Sequence, residues 1–375
     1  MKKIAIIGST GSIGTQVLKV VDAYPNDFKV YSLTAQSSDK VLLEQINKYK
    51  PTVATLENGS LTVDGTAFYS GKEAYLNAIT DEVDLVVVAV VGFAGLKAVL
   101  KAIELKKDIA LANKECLVAG GGLVMEYARK NGVRILPIDS EHSAIWQALN
   151  CSLDTPFNRL IITASGGAFR DLTIDELKFV KAKDALKHPN WNMGAKITVD
   201  CATLVNKAFE VIEARWLYNA NYSDINAVIH RESIIHSMVE FKDNSILAQM
   251  SYPTMEIPIQ LALFYGKRAK SSVKPLDLLA LSSLTFSQID NKKFPCFDLV
   301  VSAGKTGGLY PTVANGANEV AVKAFLEDKI GYTDIYALID GALNAYTNQT
   351  EYSLGGVLEA DRFAREYALG KIKNI

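Results

Sequence analysis

Near its N-terminus the chain carries the run Lys3-Ile4-Ala5-Ile6-Ile7, and the loop Gly8-Ser9-Thr10-Gly11-Ser12-Ile13-Gly14 follows it directly. The run is apolar like a buried strand, and apolar residues at 3.6-residue spacing after the loop predict a helix. Glycines at this spacing allow a tight turn that brings helix N–H groups close to a pyrophosphate. A tight turn without a ligand is the alternative, but the position within a strand–helix unit favours a dinucleotide-binding loop.

The alternation of strand and helix continues through the first 140 residues. Residues 84–91, which include Leu85-Val86-Val87-Val88, are apolar on both faces and therefore fit a buried parallel sheet. Alternating strands and helices of this kind predict an α/β fold with an N-terminal Rossmann-like, doubly wound parallel sheet. The predicted strands are residues 3–7, 29–33, 52–56, 84–91, 108–112 and 133–138.

The residues after the second predicted strand indicate which dinucleotide fits. NAD-binding proteins usually place an acidic residue there, which contacts both ribose hydroxyls. Here the residues are Gln36, Ser37 and Ser38, and the first carboxylate is that of Asp39. A 2′-phosphate would meet hydroxyl, amide and backbone donors instead of a repelling acid. The sequence therefore favours NADP, although no arginine stands among these residues.

Two clusters of polar residues follow later strands of the sheet, where ligands of such folds bind. One is Asn113-Lys114-Glu115 and the other is Asp139-Ser140-Glu141-His142. Because Asp139 and Glu141 are two residues apart, an extended backbone would turn both carboxylates to the same side. Paired carboxylates suit Mg²⁺ or Mn²⁺, and the lack of Cys or His partners disfavours zinc. A solvated loop or a helix N-cap is the alternative for such a pair.

The spacing of apolar residues changes at about Cys151, and a central α+β domain is predicted from there. Its strands are residues 159–163, 196–199, 227–229, 237–241 and 245–250, of which the last two form a hairpin, and its helix is 203–218. In that helix Asn206 and Glu210 share one face, with Lys207 beside them. A polar stripe on an otherwise apolar helix would point into a site, whereas a surface Lys–Glu pair is the alternative interpretation.

Two loops of the central domain suit an anionic ligand. Ser165-Gly166-Gly167 follows a predicted strand and could present several N–H donors to a phosphate. Residues 187–194, which include His188 and Trp191, mix cationic, aromatic and apolar side chains without periodicity and could close as a mobile lid. The alternatives are a plain turn for the first loop and packing of Trp191 on the core for the second. His230 and His236 are assigned to core packing before catalysis.

A basic, aperiodic stretch at residues 267–274 predicts a solvated linker rather than a binding patch. Beyond it, two apolar stripes predict helices of a C-terminal bundle, and Thr333 would cap the second of these helices. The predicted domains are a dinucleotide-binding domain at 1–139, a catalytic α+β domain at 140–264, a linker at 265–290 and a helical domain at 291–375.

Length and charge limit the classes to which the protein can belong. A chain of 375 residues is too long for one core, so two or three domains are expected. Lys and Arg number 40 against 41 Asp and Glu, which argues against a nucleic-acid-binding surface. Residues 85–96 are the longest apolar stretch, short of the roughly 20 residues that cross a bilayer. Four scattered cysteines and an N-terminal strand without a signal peptide predict a reduced, cytoplasmic protein that binds no membrane.

Together, these motifs resemble those of the 1-deoxy-D-xylulose 5-phosphate reductoisomerases along essentially the whole chain. The segments that carry the resemblance are Gly8-Ser9-Thr10-Gly11-Ser12-Ile13-Gly14, Ala112-Asn113-Lys114-Glu115, Pro137-Ile138-Asp139-Ser140-Glu141-His142, Ser165-Gly166-Gly167, His188-Pro189-Asn190-Trp191, Asn206-Lys207, residues 210–216 and Ile235-His236-Ser237-Met238. The resemblance implies a homodimeric enzyme that uses NADPH and Mg²⁺ or Mn²⁺, with Co²⁺ as a further candidate. Such an enzyme rearranges and then reduces a small phosphorylated sugar, 1-deoxy-D-xylulose 5-phosphate, to 2-C-methyl-D-erythritol 4-phosphate in the non-mevalonate isoprenoid pathway.

The resemblance also implies roles for individual residues. The metal ligands would be Asp139, Glu141 and Glu210, which with Lys114 and His188 would be the catalytic residues. The NADPH contacts would come from Thr10, Gly11, Ser12, Ile13, Asn113, Glu115 and Gly194, with Gln36, Ser37 and Ser38 at the 2′-phosphate. The phosphate of the substrate would be bound by Ser165, Cys201, Asn206 and Lys207. Other substrate contacts would come from Lys114, Ser140, Glu141, Glu210, His188 and Trp191. His188 and Trp191 would belong to the lid, and Met255 stands where the family has a methionine near the site.

Two positions depart from the family pattern. Cys201 stands where the family commonly has a phosphate-binding serine, and a thiol is a weaker hydrogen-bond donor. Gln36-Ser37-Ser38 replaces a Gly-Lys-Asn-like stretch, which leaves the 2′-phosphate contact open. Two alternative functions compete with this interpretation. One is another NADP-dependent dehydrogenase, of the semialdehyde type, which would not need the three acids; the other is a non-catalytic NADP-binding sensor.

Overall fold

A computed structural model describes residues 1–152, 154–187, 190–191, 193–347 and 351–373 of the protein. The chain divides into two compact units. The first consists of Met1–Cys116, Val124–Ser143 and Thr254–Val273, and the second consists of Leu117–Leu123, Ala144–Pro253 and Lys274–Ile375. Within the described ranges, no helix is both long enough and apolar enough to cross a membrane.

The α-helices of the described chain are numbered in order. They are α1 (Ser12–Ala23), α2 (Asp39–Tyr49), α3 (Ala94–Glu104), α4 (Glu115–Asn131), α5 (Ser140–Ala148), α6 (Ala182–Ala185), α7 (Ala195–Thr203), α8 (Val205–Leu217), α9 (Glu256–Leu263), α10 (Leu278–Leu281), α11 (Pro295–Thr306), α12 (Tyr310–Leu326), α13 (Tyr332–Ala345) and α14 (Leu354–Ile372).

The first unit is built on a sheet of seven parallel strands. These are β1 (Lys2–Ile7), β2 (Phe28–Ala35), β3 (Val53–Leu56), β4 (Ala67–Ser70), β5 (Leu85–Val88), β6 (Asp108–Leu111) and β7 (Ile135–Pro137). They lie in the order β4-β3-β2-β1-β5-β6-β7. The order reverses at β1, so the crevice between the carboxyl ends of β1 and β5 is the place where such sheets bind dinucleotides. The predicted doubly wound parallel sheet is confirmed.

The burial of each strand explains whether the sequence predicted it. Residues of β5 are fully buried, as the apolar run predicted, although the strand ends at Val88 rather than at residue 91. The sequence missed β4, because its residues lie at the edge of the sheet and are mostly exposed. An edge strand of this kind needs no apolar run and therefore leaves little periodic signal.

The second unit contains a mixed four-stranded sheet. Its strands are β8 (Arg159–Ala164), β9 (Ile225–Ile229), β10 (Ile235–Glu240) and β11 (Ile246–Met250), in the order β11-β10-β8-β9. The predicted hairpin is confirmed as the antiparallel pair β10–β11, whereas β8 and β9 run parallel. The carboxyl end of β8 leads into the Ser165-Gly166-Gly167 loop.

Two local predictions are wrong. Residues 196–199 were expected to form a strand because Ile197, Thr198 and Val199 are β-branched, but they lie in helix α7. The buried face of α7 includes Val199 and Ala202, and this helical spacing outweighs β-propensity. Thr333 does not cap α13. The N-cap is the preceding Gly331, whose N–H donates to the Asp334 carboxylate at 2.7 Å.

The C-terminal helices belong to the same unit as the mixed sheet. Asn318 of α12 donates through Nδ2 to Asp200 Oδ1 at 2.9 Å, and the Tyr332 hydroxyl donates to the Ala202 carbonyl at 2.7 Å. Both bonds hold α7. In sequence α7 precedes the predicted linker at residues 265–290, whereas the C-terminal helices follow it. The division into two units therefore differs from the predicted boundaries at 139, 264 and 290, and residues 254–273 group with the first unit.

Candidate functional site

The glycine loop after β1 is shaped by close backbone approaches. Gly8 has a φ of +91°, and a Cβ there would lie 2.9 Å from the carbonyl oxygen of Ala89. A Cβ at Gly14 would lie only 2.2 Å from the carbonyl oxygen of Gly8. Gly11 is the N-cap of α1. Neither Gly8 nor Gly14 can be replaced without moving the loop, whose conformation places the start of α1 at the switch point of the sheet.

Buried polar residues hold this loop in place, and the sequence analysis missed them. Thr34 accepts the Gly8 N–H on its hydroxyl and the Ser9 N–H on its carbonyl, both at 2.8 Å. Gln45 of α2 donates through Nε2 to the Ser9 carbonyl at 3.0 Å. The only signal in the sequence was a glutamine on the buried face of α2 next to Ile46.

The residues predicted to contact a dinucleotide lie at the start of α1 and after β2. Gly11 and Ser12 are exposed, and Thr10 and Ile13 are partly exposed, around the N-terminus of α1. Residues 36–38 lie exposed between β2 and α2, at the carboxyl end of the neighbouring strand.

Asn113 fixes the backbone at the carboxyl ends of β5 and β6. Its Nδ2 donates to the carbonyl oxygens of Val90 and Gly92, both at 2.9 Å, and its Oδ1 accepts the N–H of Cys116 at 2.9 Å. The same Nδ2 lies 3.1 Å from Oε2 of Glu115. Asn113 and Glu115 are buried, so they shape this part of the crevice.

Lys114 and Asp139 form an ion pair within the first unit. Their side chains are 8% and 16% exposed, so this pair is only partly screened by solvent. Glu141 accepts a hydrogen bond from the Ser140 hydroxyl, and one of its carboxylate oxygens lies within 4.8 Å of one on Asp139. The crevice of the first unit thus carries two neighbouring carboxylates beside a fixed ammonium.

The reason given for the Asp139–Glu141 proximity is wrong, although the proximity itself is present. The backbone is not extended there, because α5 begins at Ser140 and Glu141 lies in its first turn. The Asp139 carbonyl accepts the Ser143 N–H at 2.8 Å and opens the helix. Negative side chains in a first helical turn are stabilised by the helix dipole, so this position suits the Glu141 carboxylate.

In the second unit, Glu210 of α8 is bonded to two side chains one helical turn earlier. Asn206 donates through Nδ2 to Glu210 Oε1 at 2.6 Å, and the Lys207 ammonium pairs with Oε2. The side chains of Lys207 and Glu210 are only 4% and 1% exposed. A surface Lys–Glu pair is therefore the wrong interpretation. One helix holds a buried acid, amide and ammonium in fixed relative positions.

The Ser165-Gly166-Gly167 loop makes a tight turn after β8. Both glycines have positive φ, at +85° and +70°, and the Gly167 N–H donates to the Ser165 hydroxyl at 3.2 Å. A Cβ at Gly167 would lie 2.4 Å from the Cys201 carbonyl oxygen. The loop is therefore packed directly on α7, beside the partly exposed Cys201. Successive N–H groups in such a turn form a concavity suited to phosphate.

A side chain that the sequence analysis did not single out, Arg170, lies behind this loop. Its Nη1 donates to the Ser165 carbonyl at 3.0 Å, to the Arg231 carbonyl at 3.0 Å and to Asn190 Oδ1 at 3.4 Å. Burial of the guanidinium, followed by the nearby charge of Arg231, lowers the pKa of Arg170. No sequence periodicity marks such a residue, because it lies in an irregular turn.

The described part of the predicted lid is docked on the second unit. Trp191 packs edge-on against His236 with ring centroids 5.9 Å apart, and Asn190 Nδ2 donates to the Glu232 carbonyl at 3.3 Å. Gly194 is the exposed N-cap of α7. His188, with Pro189 and Asn192, lies outside the described residues.

The remaining residues that the sequence analysis singled out are two buried histidines and a methionine at the start of a helix. His230 and His236 are buried. His230 Nε2 accepts the N–H groups of Ile234 and Ile235 at 3.2 and 3.1 Å, so the ring supports the backbone that leads into β10. Met255 is the partly buried N-cap of α9 in the first unit.

A doubly wound sheet with a glycine loop at its switch point, and acids at its carboxyl edge, defines an oxidoreductase of the dinucleotide-binding class. Comparison with known proteins resolves this class further. The family profile described as "1-deoxy-D-xylulose 5-phosphate reductoisomerase" matches residues 4–121, and the profiles of two C-terminal domains of these enzymes match 135–218 and 250–367. The chain belongs to the 1-deoxy-D-xylulose 5-phosphate reductoisomerase family.

Full-length relatives support this assignment. The chain is 47% identical over 376 residues to 1-deoxy-D-xylulose 5-phosphate reductoisomerase 1 of Bacillus anthracis, covering 98% of each protein. It is 46% identical to the reductoisomerase of Rippkaea orientalis over 98% of this chain and 95% of that one.

Solved structures agree. One is a reductoisomerase in complex with NADPH, fosmidomycin and magnesium, with a TM-score of 0.94 and 39% identity over 100% of this chain and 98% of that one. Another is the enzyme of Zymomonas mobilis in complex with NADPH, with a TM-score of 0.91 and 36% identity over the full length of both chains.

Proposed function

We propose that this protein converts 1-deoxy-D-xylulose 5-phosphate to 2-C-methyl-D-erythritol 4-phosphate in the non-mevalonate isoprenoid pathway, with NADPH and a divalent metal ion. The observation that carries the proposal is the 47% identity to a reductoisomerase over 98% of both chains. The relative solved with NADPH, fosmidomycin and magnesium supports the same pair of cofactors. The enzyme acts as an oxidoreductase and an isomerase on one substrate.

The NADPH site is proposed at the switch point of the first unit. The exposed residues Gly11 and Ser12 at the N-terminus of α1 suit the pyrophosphate, with Thr10 and Ile13 alongside. Gln36, Ser37 and Ser38 offer neutral donors to the 2′-phosphate. Further contacts are proposed for Asn113, Glu115 and Gly194. When bound, NADPH supplies the hydride that reduces the rearranged aldehyde.

The metal ion is proposed to lie between the carboxylates of Asp139, Glu141 and Glu210. Three carboxylates are the hard oxygen donors that Mg²⁺ and Mn²⁺ prefer, with Co²⁺ as a further candidate, so the residues fit the ion. The bound ion acts as a Lewis acid on the carbonyl and hydroxyl oxygens of the substrate.

The protein's own side chains then position and stabilise the reacting atoms. The Lys114 ammonium, fixed by its pair with Asp139, provides positive charge for a substrate oxygen on which negative charge develops as the C–C bond shifts. The Ser140 hydroxyl is proposed to contact the same end of the substrate. Because these groups are held before the substrate binds, they need no reorganisation during the reaction.

The phosphate end of the substrate is proposed to bind Ser165, Cys201, Asn206 and Lys207. Asn206 and Lys207 lie within one turn of Glu210, so one helix fixes the separation between the phosphate and the reacting carbons. His188 and Trp191 are proposed to close over the substrate and to exclude water from the aldehyde. The second unit therefore contributes most of the proposed contacts with the substrate.

We further propose a cytoplasmic homodimer. Strand β11 lies at the edge of the mixed sheet, and its Ile246 and Leu247 are 49% and 51% exposed. An edge strand with apolar side chains is suited to pairing with a second copy. Light scattering should give twice the 40.9 kDa chain mass. Leu247→Lys should shift the mass towards the monomer, and a wild-type monomer would contradict the proposal.

Turnover tests the proposed activity against its alternatives. Purified protein should oxidise NADPH when 1-deoxy-D-xylulose 5-phosphate is added, should stop after EDTA and should recover with Mn²⁺ or Mg²⁺. Metal-independent turnover of a semialdehyde would instead favour the second type of dehydrogenase. Folded, metal-loaded protein that binds NADPH without any turnover would leave the sensor as the better explanation.

A further inference from the structure

Arg170 has no part in the roles assigned above, yet it is the centre of a hydrogen-bond network behind the Ser165 loop. One guanidinium nitrogen bonds to the carbonyl oxygens of Ser165 and Arg231 and to the side chain of Asn190. These three groups belong to the start of the loop, to the connection between β9 and β10, and to the lid segment. One side chain thus ties together three stretches of chain that are distant in sequence.

The loop is packed closely around this arginine. A Cβ at Gly166 would lie 2.9 Å from the Cβ of Arg170, whereas a Cβ at Gly167 would meet the backbone of α7 at Cys201. The loop is therefore confined between Arg170 on one side and α7 on the other. This confinement limits the conformations that the loop can adopt.

Arg170 is itself held in place by a contact with Lys293. Its carbonyl oxygen accepts a hydrogen bond from Lys293 Nζ at 2.8 Å, and its side chain is 19% exposed. The neighbouring Arg231 pairs with Asp171 at 2.6 Å, and the Arg170 Nε lies 3.7 Å from the same carboxylate. The charged side chains around Arg170 are therefore of both signs, with Arg231 and Lys293 as cations and Asp171 and Glu232 as anions.

We propose that Arg170 is a positioning residue for the phosphate of the substrate, which holds the Ser165-Gly166-Gly167 loop in its phosphate-binding shape. This proposal rests on the proposed phosphate site at Ser165. Arg170 acts through backbone carbonyl groups, so its effect reaches the phosphate through the N–H groups of the loop. All three hydrogen bonds come from Nη1, and a lysine keeps the charge but its side chain ends one bond short of the position of that nitrogen.

The main experiment compares Arg170→Lys and Arg170→Gln with the matched control Arg231→Lys. Each is assayed with 1-deoxy-D-xylulose 5-phosphate and with 1-deoxy-D-xylulose, which lacks the phosphate. Both Arg170 variants should lose at least about tenfold in kcat/KM for the phosphorylated substrate, the equivalent of one charge-assisted hydrogen bond. The value for the unphosphorylated substrate should be unchanged, and the control should match the wild type with both.

The inhibition constant of inorganic phosphate gives a second readout that a general folding defect would not mimic. It should rise in both Arg170 variants while NADPH affinity stays the same. An equal loss with both substrates, or no loss with either, would overturn the proposal. Arg170→Lys keeps the charge and most of the volume, so it carries the test if Arg170→Gln does not fold.

Ser165→Ala separates failure of this inference from failure of the proposed phosphate site. If Ser165→Ala leaves the KM for the phosphorylated substrate unchanged, the site itself is wrong. If it raises KM while Arg170→Lys does not, only the role of Arg170 is refuted.

Discussion

Replacement of Glu210 with glutamine should lower the free energy of unfolding by about 3–5 kcal/mol, because it removes the carboxylate that pairs with the buried Lys207 ammonium. The magnitude follows from burial. The two side chains are 4% and 1% exposed, so water cannot solvate the remaining cation. An exposed pair at the same helical spacing contributes only about 0.2–0.5 kcal/mol, so the measured loss distinguishes the two situations.

A double variant separates the effect of the buried charge on stability from the effect of the missing carboxylate on metal affinity. Lys207→Met combined with Glu210→Gln removes both charges and keeps similar volumes, so most of the lost stability should return. Affinity for Mn²⁺ should not return, because a proposed ligand is still missing. Loss of an outer-shell partner typically costs 10- to 100-fold in metal affinity, so loss of a direct ligand should weaken Mn²⁺ binding by more than about 100-fold in both variants.

Urea unfolding followed by tryptophan fluorescence, without metal, measures the first quantity, and calorimetric titration with Mn²⁺ measures the second. Glu126→Gln is the matched control, since Glu126 pairs with Lys130 on an exposed helix face where the side chains are 57% and 63% exposed. It should change neither quantity by a measurable amount. A loss below about 1 kcal/mol for Glu210→Gln, or a double variant no more stable than the single one, would refute the argument from burial.

Three further substitutions have expected outcomes. Gly14→Ala should abolish measurable NADPH binding in a fluorescence titration, since the new Cβ would lie 2.2 Å from the Gly8 carbonyl oxygen; unchanged affinity would show that the loop can relax. Cys201→Ser should lower the KM for the phosphorylated substrate and leave NADPH affinity unchanged, because a hydroxyl is the stronger donor; an equal or higher KM would count against this role. Burial raises the pKa of Cys296 to about 12, so the unfolded thiol releases its proton first and stability should fall as the pH rises above about 9, by up to about 1.4 kcal/mol per pH unit. Urea unfolding at pH 8 and pH 10 should show a smaller difference for Cys296→Ala than for the wild type, and equal differences would contradict the assignment.

The sequence predicted most of the first unit because its signals are local. β1 and the glycine loop combine an apolar run with glycines at fixed spacing, and both Gly8 and Gly14 are needed for contacts within that short segment. The charged residues after β6 and β7 could be placed because parallel strands present their carboxyl ends at one edge. What failed was local backbone detail, as at Glu141, which lies in a helix rather than in an extended segment.

The sequence could not reveal residues whose role depends on contacts between distant segments. Gln45 supports the glycine loop from α2, and Arg170 joins the Ser165 loop to Asn190, without any periodic pattern that marks either residue. Segment 196–199 was misassigned for a related reason, because β-branched residues favour a strand until tertiary packing on a helical face outweighs that preference. The residue roles at the metal, phosphate and cofactor sites remain predictions that the substitutions above test.

The two hydrogen bonds from the C-terminal helices to α7 limit how far the chain could be shortened from its C-terminal end. Asn318 donates a hydrogen bond to Asp200, and Tyr332 donates one to Ala202. Both chain neighbours of Cys201 are therefore held by residues more than a hundred positions downstream. A truncated product that ends before α12 would keep every proposed ligand of the metal and the phosphate in its sequence. It would nevertheless lose the bonds that anchor α7, so we expect deletion of the tail to loosen the segment that carries Cys201.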